Sequence, residues 1–238
     1  MKKIMNNPKT LRILIIAAVV LVVAFAFIWE YLYAGSGYNA GPRKTGQQQG
    51  SAVENDHAPP PGRSKIQDAL SDLDWVQQAF LPINDFSRPD KPVEKVNAIV
   101  IHYIGNPGTT ARQNRNYFAN LENTQETSVS SNFIIGLDGE ILQCVPVDEV
   151  AYASNHRNGD TVSIELCHPD ETGEFSAETY DSAVRLAAWL CGQFGLAEDG
   201  IIRHYDVSGK MCPKHFVENE SAWEMFKNDV AQTVAGNR

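Results

Sequence analysis

Between Arg203 and Pro213 the chain reads Arg-His-Tyr-Asp-Val-Ser-Gly-Lys-Met-Cys-Pro, which sets an imidazole (His204), an ammonium (Lys210) and a thiol (Cys212) close together. Gly209 and Pro213 supply bends between and after them. Imidazole nitrogens bind zinc at about 2.0–2.1 Å and thiolates at about 2.3 Å, so His204 and Cys212 form a candidate donor pair. Two donors do not make a site. The best third candidate is His102, which ends the apolar run Ala98-Ile99-Val100-Ile101, the pattern of a buried strand. A histidine at a strand's exit can face a loop arriving from a distant part of the chain. Three protein donors with a fourth position left to water is the arrangement of a catalytic zinc rather than a structural one. The alternative is a core histidine beside an unrelated free cysteine, and spacing alone does not choose between them.

Glu165 stands between Ile164 and Leu166 in the alternating stretch Thr161–His168. A strand carboxylate can simply face solvent. Beside a metal that acidifies water, the same carboxylate can take the water's proton and deliver it to a leaving group. Lys210 is either a solvated surface lysine or a cation held beside an oxyanion growing on a scissile carbonyl. His156, His168 and His215 lack a strand end or a donor-bearing loop and are expected at the surface. His168 precedes Pro169 and is placed in a loop near the site; His57 belongs to a linker.

The elements that must hold these residues follow from periodicity and turn chemistry. A strand Val96–Tyr103 leads into the turn Gly105-Asn106-Pro107-Gly108, after which Thr110 caps a helix Ala111–Leu121. Asn132–Ile135 is a strand, and Asp138-Gly139 signals a hairpin into Glu140–Val145. Ser176–Phe194 is a long amphipathic helix carrying Ala183, Leu186, Ala187 and Leu190 on one side. A short strand Ile201–Arg203 and a helix Ala222–Val234 complete the domain. Strands interleaved with helices, plus one hairpin, predict a mixed α/β sandwich. A Cys144–Cys167 disulfide is expected only if their strands are neighbours.

Four segments are expected in the 238-residue chain: 1–34, 35–64, 65–92 and 93–238. Ile13 to Trp29 is an unbroken run of seventeen apolar residues, and with its flanks it reaches the roughly 20 residues that span a bilayer. Lys2, Lys3, Lys9 and Arg12 all precede it, which predicts a single-pass membrane anchor with a cytoplasmic N-terminus and an exported domain. A cleaved signal peptide is the rival, disfavoured because the run exceeds the usual 7–15-residue core. Residues 35–64 are rich in Gly, Gln, Pro and Ser and read as a flexible linker. Lys65–Phe80 carries Ile66, Leu70, Leu73, Val76 and Phe80 at helical spacing and is expected to pack on the main domain. The chain's net charge is −9, and beyond residue 33 there are 16 basic against 28 acidic residues. Such a surface disfavours nucleic acid as a partner.

Taken in order, Ile99–Tyr103, Val129–Ile135, Asp138–Ile141, Thr161–Leu166, Arg203–Val207 and Lys210–Pro213 resemble the zinc-dependent N-acetylmuramoyl-L-alanine amidases of the amidase-2 family, relatives of T7-type lysozyme and of peptidoglycan recognition proteins. The likeness covers about residues 93–232. It implies a central mixed β-sheet flanked by helices, with His102, His204 and Cys212 as zinc ligands and Glu165 and Lys210 as the catalytic pair. The implied reaction is hydrolysis of the amide between N-acetylmuramic acid and L-alanine, with peptidoglycan as partner. One departure stands out: Ser131 and Asn132 occupy the place of a Tyr–His pair in phage-type members. That removes a tyrosine-assisted route and shifts the weight onto Glu165. The competing expectation is a non-catalytic peptidoglycan-binding module on the same fold.

Overall fold

A computed structural model describes residues 64–236. The expected anchor Ile13–Trp29, most of the linker and His57 lie outside the described residues. Among the described residues no helix is long and apolar enough to cross a membrane.

The fold is built on a six-stranded sheet: β1 (Val76–Gln78), β2 (Ala98–Tyr103), β3 (Phe133–Ile135), β4 (Ile141–Gln143), β5 (Thr161–Leu166) and β6 (Ile201–Arg203). Their spatial order is β1-β4-β3-β5-β2-β6, and only the β3–β4 pair is antiparallel. That pair is the expected hairpin, with Gly139 at φ +80° in its connection. Near-continuous apolar runs in β2 and β5 are explained by cover on both faces, the usual condition of parallel strands. On one face Ile99, Ile101, Val162 and Ile164 pack with helix α3 (Ala177–Phe194) and the C-terminal helix α6 (Glu220–Gly236), through Leu186, Leu190, Phe226 and Val230. On the other, Ile134, Leu142, Cys144 and Cys167 pack with helix α2 (Ala111–Thr124) through Ala111 and Phe118.

The long helices start where their caps predict. Thr110 and Gln113 form a reciprocal capping box at α2, and the Ser176 hydroxyl accepts from the Thr179 N–H at 3.1 Å to start α3. The helix expected over Lys65–Phe80 is shorter. Helix α1 spans only Lys65–Ser71, and the chain turns at Asp72–Asp74 into the edge strand β1, which pairs with β4. Ser71, Asp72 and Asp74 compete with helical hydrogen bonding, and the unpaired edge of β4 offers Val76–Gln78 a ladder that a helix would forgo. Segment 204–213 is also more structured than a loop, holding the single-turn helix α4 (His204–Ser208), with α5 (Lys214–Glu218) following.

All four cysteines are free thiols. The Cys144–Cys167 pairing fails its own condition, because β3 lies between β4 and β5.

Helix α1 is fastened by a buried amide pair. Gln67 Nε2 donates to Gln143 Oε1 at 3.0 Å, Gln143 Nε2 donates back at 2.7 Å, and the Val147 N–H donates to Gln67 Oε1 at 2.9 Å. Both glutamines are fully buried, so these bonds have no water to replace them. Gln67→Leu fills a similar volume but strands the Gln143 amide and the Val147 N–H. It should cost about 3 kcal/mol in urea unfolding, and adding Gln143→Leu should recover part of that loss.

Candidate metal centre

The ladder of the three adjacent strands β5-β2-β6 sets the site. His102 is the register partner of Glu165 across β2–β5, and Ile101 is the partner of Arg203 across β2–β6. His204 follows directly after the end of β6 and opens α4, with its ring centroid 4.6 Å from that of His102, so Glu165, His102 and His204 gather at the C-terminal ends of three parallel strands. This is the edge at which open α/β sheets present their ligand sites. Ile99, Ile101 and Ile164 belong to the core under α3 and α6, so by strand alternation His102 and Glu165 face the opposite side.

Cys212 returns to this cluster through the backbone. Its carbonyl accepts from the Tyr205 N–H at 2.8 Å, its own N–H donates to the Lys210 carbonyl at 2.7 Å, and Sγ accepts from the Tyr103 N–H. Arg203 anchors the same stretch. Its guanidinium is held by Asp206 at 3.0 Å, Glu220 at 2.7 Å and the Phe216 carbonyl at 3.0 Å, which ties α4 to α5 and α6.

The donor atoms of His102, His204 and Cys212 lie within 4.8 Å of one another, and all three residues are buried. His102 Nδ1 is 3.9 Å from both Cys212 Sγ and Glu165 Oε1. A tetrahedral zinc would set an imidazole nitrogen and a thiolate sulfur about 3.6 Å apart, so a small inward adjustment completes the geometry. Among the described residues, two buried side-chain nitrogen or oxygen atoms have no hydrogen-bond partner, His204 Nδ1 and Glu165 Oε2. Unpaired polar atoms in a buried setting are costly, and a dication with its water would satisfy both. The residues present therefore fit a metal with N₂S ligation and an open position.

The electrostatics have one dominant cause, loss of water. Burial pushes the His102 imidazole well below its ordinary range, helped by His204 and the Lys210 cation. His204 is lowered in the same way, by burial and then by Lys210. Both are thus neutral and donor-competent near pH 7. Burial raises Glu165 to about 8 and the Cys212 thiol to about 12, with Lys210 opposing each shift. Lys210 is exposed at the rim, and its field reaches all four groups.

The other imidazoles divide. His156 is exposed, as expected, and His215 packs its half-buried ring against Phe175 and Phe216. His168 is not at the surface: it is 2% exposed, stacks on Tyr103 and places its ring nitrogens 2.7 and 2.6 Å from the Asp170 and Ile104 carbonyls. Ser131 and Asn132 are buried in a network with Ser163 and the Pro146 carbonyl, so their work is to join strands. Two residues that sequence reasoning missed touch the site. Ser154 Oγ lies 3.2 Å from His102 Nε2, and Asn155 Oδ1 lies 2.7 Å from His204 Nε2. The only signal for them was a polar, turn-rich stretch before β5.

This geometry defines a class: a mixed α/β domain with a buried His-His-Cys donor set and an adjacent carboxylate. Residues 92–215 match the family model described as N-acetylmuramoyl-L-alanine amidase, and the chain belongs to that amidase-2 family. It is 30% identical over 175 residues to the N-acetylmuramoyl-L-alanine amidase CwlL of Bacillus licheniformis, an overlap of 68% of this chain and 48% of the relative. It is 29% identical over 179 residues to BlyA of Bacillus subtilis (strain 168), covering 66% and 47%. The chain thus spans about half the length of these curated relatives. Among solved structures, PlyL superposes with a TM-score of 0.57 at 20% identity, covering 65% of this chain and 96% of that one. The catalytic domain of XlyA gives 0.56 at 24% identity, covering 65% and 98%. These likenesses establish the central mixed sheet flanked by helices.

The Glu165 shift has a measurable consequence in the metal-free protein. Unfolded, the carboxyl titrates near its usual 4.5; folded, near 8. Between those values the folded state keeps a proton that the unfolded state has lost, so this group's contribution to stability falls as pH rises from about 4.5 to 8. Glu165→Gln removes the penalty. With chelator present, the variant should match wild type near pH 4 and exceed it above pH 8, by roughly 5 kcal/mol at most. Denaturant unfolding that gives the same difference at both pH values would show that Glu165 ionises in the fold without cost.

Proposed function

We propose that this chain is a membrane-tethered, zinc-dependent N-acetylmuramoyl-L-alanine amidase that hydrolyses the amide joining N-acetylmuramic acid to L-alanine in peptidoglycan. The observation that carries the reading is the buried cluster His102, His204 and Cys212 with Glu165 laddered opposite His102, in which a Glu165 carboxylate oxygen and His204 Nδ1 are both buried and unpaired. Membership of the amidase family and the amidase names of its relatives support the bond and the substrate. Enzymes of this family are typically zinc-dependent, which agrees with the donor set.

His102, His204 and Cys212 would hold the metal, which when bound would supply Lewis-acid polarisation of the scissile carbonyl and a lowered pKa for water. The thiol, near 12 when metal-free, gives up its proton on loading, so affinity falls as the medium is acidified. Glu165 takes a proton from the attacking water, whose oxygen bonds to the lactyl carbonyl carbon. As the C–N bond breaks, Glu165 returns that proton to the alanine nitrogen, and a free carboxylate and a free amine result. Without a metal, burial holds Glu165 near 8; a dication beside it would draw the carboxyl back towards its ionised, proton-accepting form. Lys210 places a cation at the rim, where negative charge develops on the carbonyl oxygen.

The length of the apolar run Ile13–Trp29 supports an uncleaved anchor, and the four cations before it support a cytoplasmic N-terminus. The linker then lets the domain reach the wall from the outer face of the membrane. Protease added to intact cells should release the domain by cutting within 35–64, while the N-terminal fragment stays with the membrane. Recovery of a secreted form starting near residue 35 would overturn the anchor.

For the chemistry, full-length protein should carry about one zinc per chain, and Cys212→Ser should lose most of it. Glu165→Gln should keep its zinc yet hydrolyse peptidoglycan about 10²–10⁴-fold more slowly. Lys210→Ala should also slow turnover with zinc retained. Mass spectrometry of the digest reads the new ends. Absence of free L-alanine amino termini would leave a binding module, and near-wild-type turnover by Glu165→Gln would place the base elsewhere.

A further inference from the structure

We infer that the consecutive residues Ser154 and Asn155 are positioning residues for the metal centre: Asn155 holds His204 in the tautomer that turns Nδ1 towards the ion, and Ser154 holds the ring of His102 in place. The inference rests on the metal-binding reading above and adds to it what orients the ligands.

The geometry is paired. His204 Nε2 is 2.7 Å from Asn155 Oδ1, while His204 Nδ1 is buried without a partner. An amide oxygen can only accept, so Nε2 carries the proton and the Nδ1 lone pair is free for a metal. His102 is held by position rather than by tautomer: its Nε2 lies 3.2 Å from the Ser154 hydroxyl, which can donate or accept, and its Nδ1 lies 3.9 Å from Cys212 Sγ. The two rings are neighbours, with centroids 4.6 Å apart, so two adjacent side chains of one loop can hold both from behind.

The loop is itself a built element. Asn158 Oδ1 accepts from the Ala153 N–H at 3.1 Å and from the Ser154 N–H at 2.5 Å. Arg157 is clamped to Asp160 at 2.8 Å, and the Thr161 hydroxyl donates to the Arg157 carbonyl at 2.7 Å, which ties the loop to the start of β5. Ser154 is 1% exposed. Asn155 takes a left-handed backbone, φ 54°, a conformation that asparagine tolerates better than most residues. Its effect is to bring a hydroxyl and an amide oxygen to the far nitrogens of two rings, one from the end of β2 and one from the start of α4.

Outer partners of this kind typically contribute 10–100-fold to metal affinity by fixing tautomer and ring orientation. The test uses the full chain and competition for zinc against a chelator of known affinity. Asn155→Gly keeps the left-handed backbone but removes the acceptor, and its zinc dissociation constant should rise 10–100-fold. Asn155→Asp keeps an acceptor at the same place and should bind within about threefold of wild type. Ser154→Ala should weaken binding in the same direction. Independently of metal, ¹⁵N spectra of the chelated wild type at pH 8 should show His204 protonated at Nε2, and Asn155→Gly should show a mixture of tautomers. Asn155→Gly binding zinc like wild type overturns the proposal. So does Asn155→Asp failing as badly as Asn155→Gly, which would make the role one of loop backbone alone. Should Asn155→Gly not fold, the Asn155→Asp affinity and the wild-type spectrum decide, and a wild-type His204 protonated at Nδ1 overturns the inference. Wild type binding no zinc at all would instead defeat the metal reading itself, an outcome distinct from these.

Discussion

The site depends on hydrogen-bond register. Strands β5 and β2 are laddered so that Glu165 stands opposite His102, and β6, paired with β2, ends one residue before His204. Side chains in a strand alternate between faces, so a slip of one residue in β2 or β5 would send its functional group to the opposite side of the sheet. Ile99, Ile101, Val162 and Ile164 prevent that slip. Each is fully buried under α3 and α6, and a shifted strand would drive His102 or Glu165 into that apolar layer. The hydrophobic core on one face thus sets the chemistry on the other.

The cluster is held at a cost the rest of the fold must offset. Two imidazoles, a thiol and a carboxyl are removed from water, and burial alone moves every one of them away from its charged form. Neutral imidazoles are what a metal needs; a protonated thiol is not. The site is therefore poised rather than finished, with the donors close and the unpaired atoms facing inward. A dication would turn the same low-dielectric surroundings from a penalty into a strong attraction for thiolate and carboxylate. Lys210, kept at the rim, tempers the carboxyl and thiol shifts without entering the buried cluster.

Around this cluster the supporting parts are polar but satisfied. The Asn132–Ser163 network joins the strands behind the site, the paired amides of Gln67 and Gln143 fasten the N-terminal helix, and Arg88 pairs with Glu149 at 2.7 Å in a bidentate contact. Each of these is buried, which makes it specific in geometry and costly to break on one side only. Ser131 and Asn132 serve strand pairing.

Local pattern carried much of the fold. Apolar runs marked β2 and β5, Asp138-Gly139 marked the hairpin, and Thr110 marked a helix start, because each of these signals acts within a few residues of itself. Donor types and spacing likewise singled out His102, His204 and Cys212 before any contact was known. What the sequence could not determine was anything that depended on a neighbour far along the chain. Val76–Gln78 has a helical apolar spacing yet pairs as a strand, because the open edge of β4 lies beside it. His168 reads as a surface histidine yet is buried, because two carbonyls and the Tyr103 ring enclose it. Cys144 and Cys167 stay thiols because a strand separates theirs. Ser154 and Asn155 sit 52 and 49 residues from the histidines they touch, and no periodicity spans that interval. Side-chain chemistry is local and legible; which groups meet is decided by register and packing, the long-range terms that only the folded chain expresses.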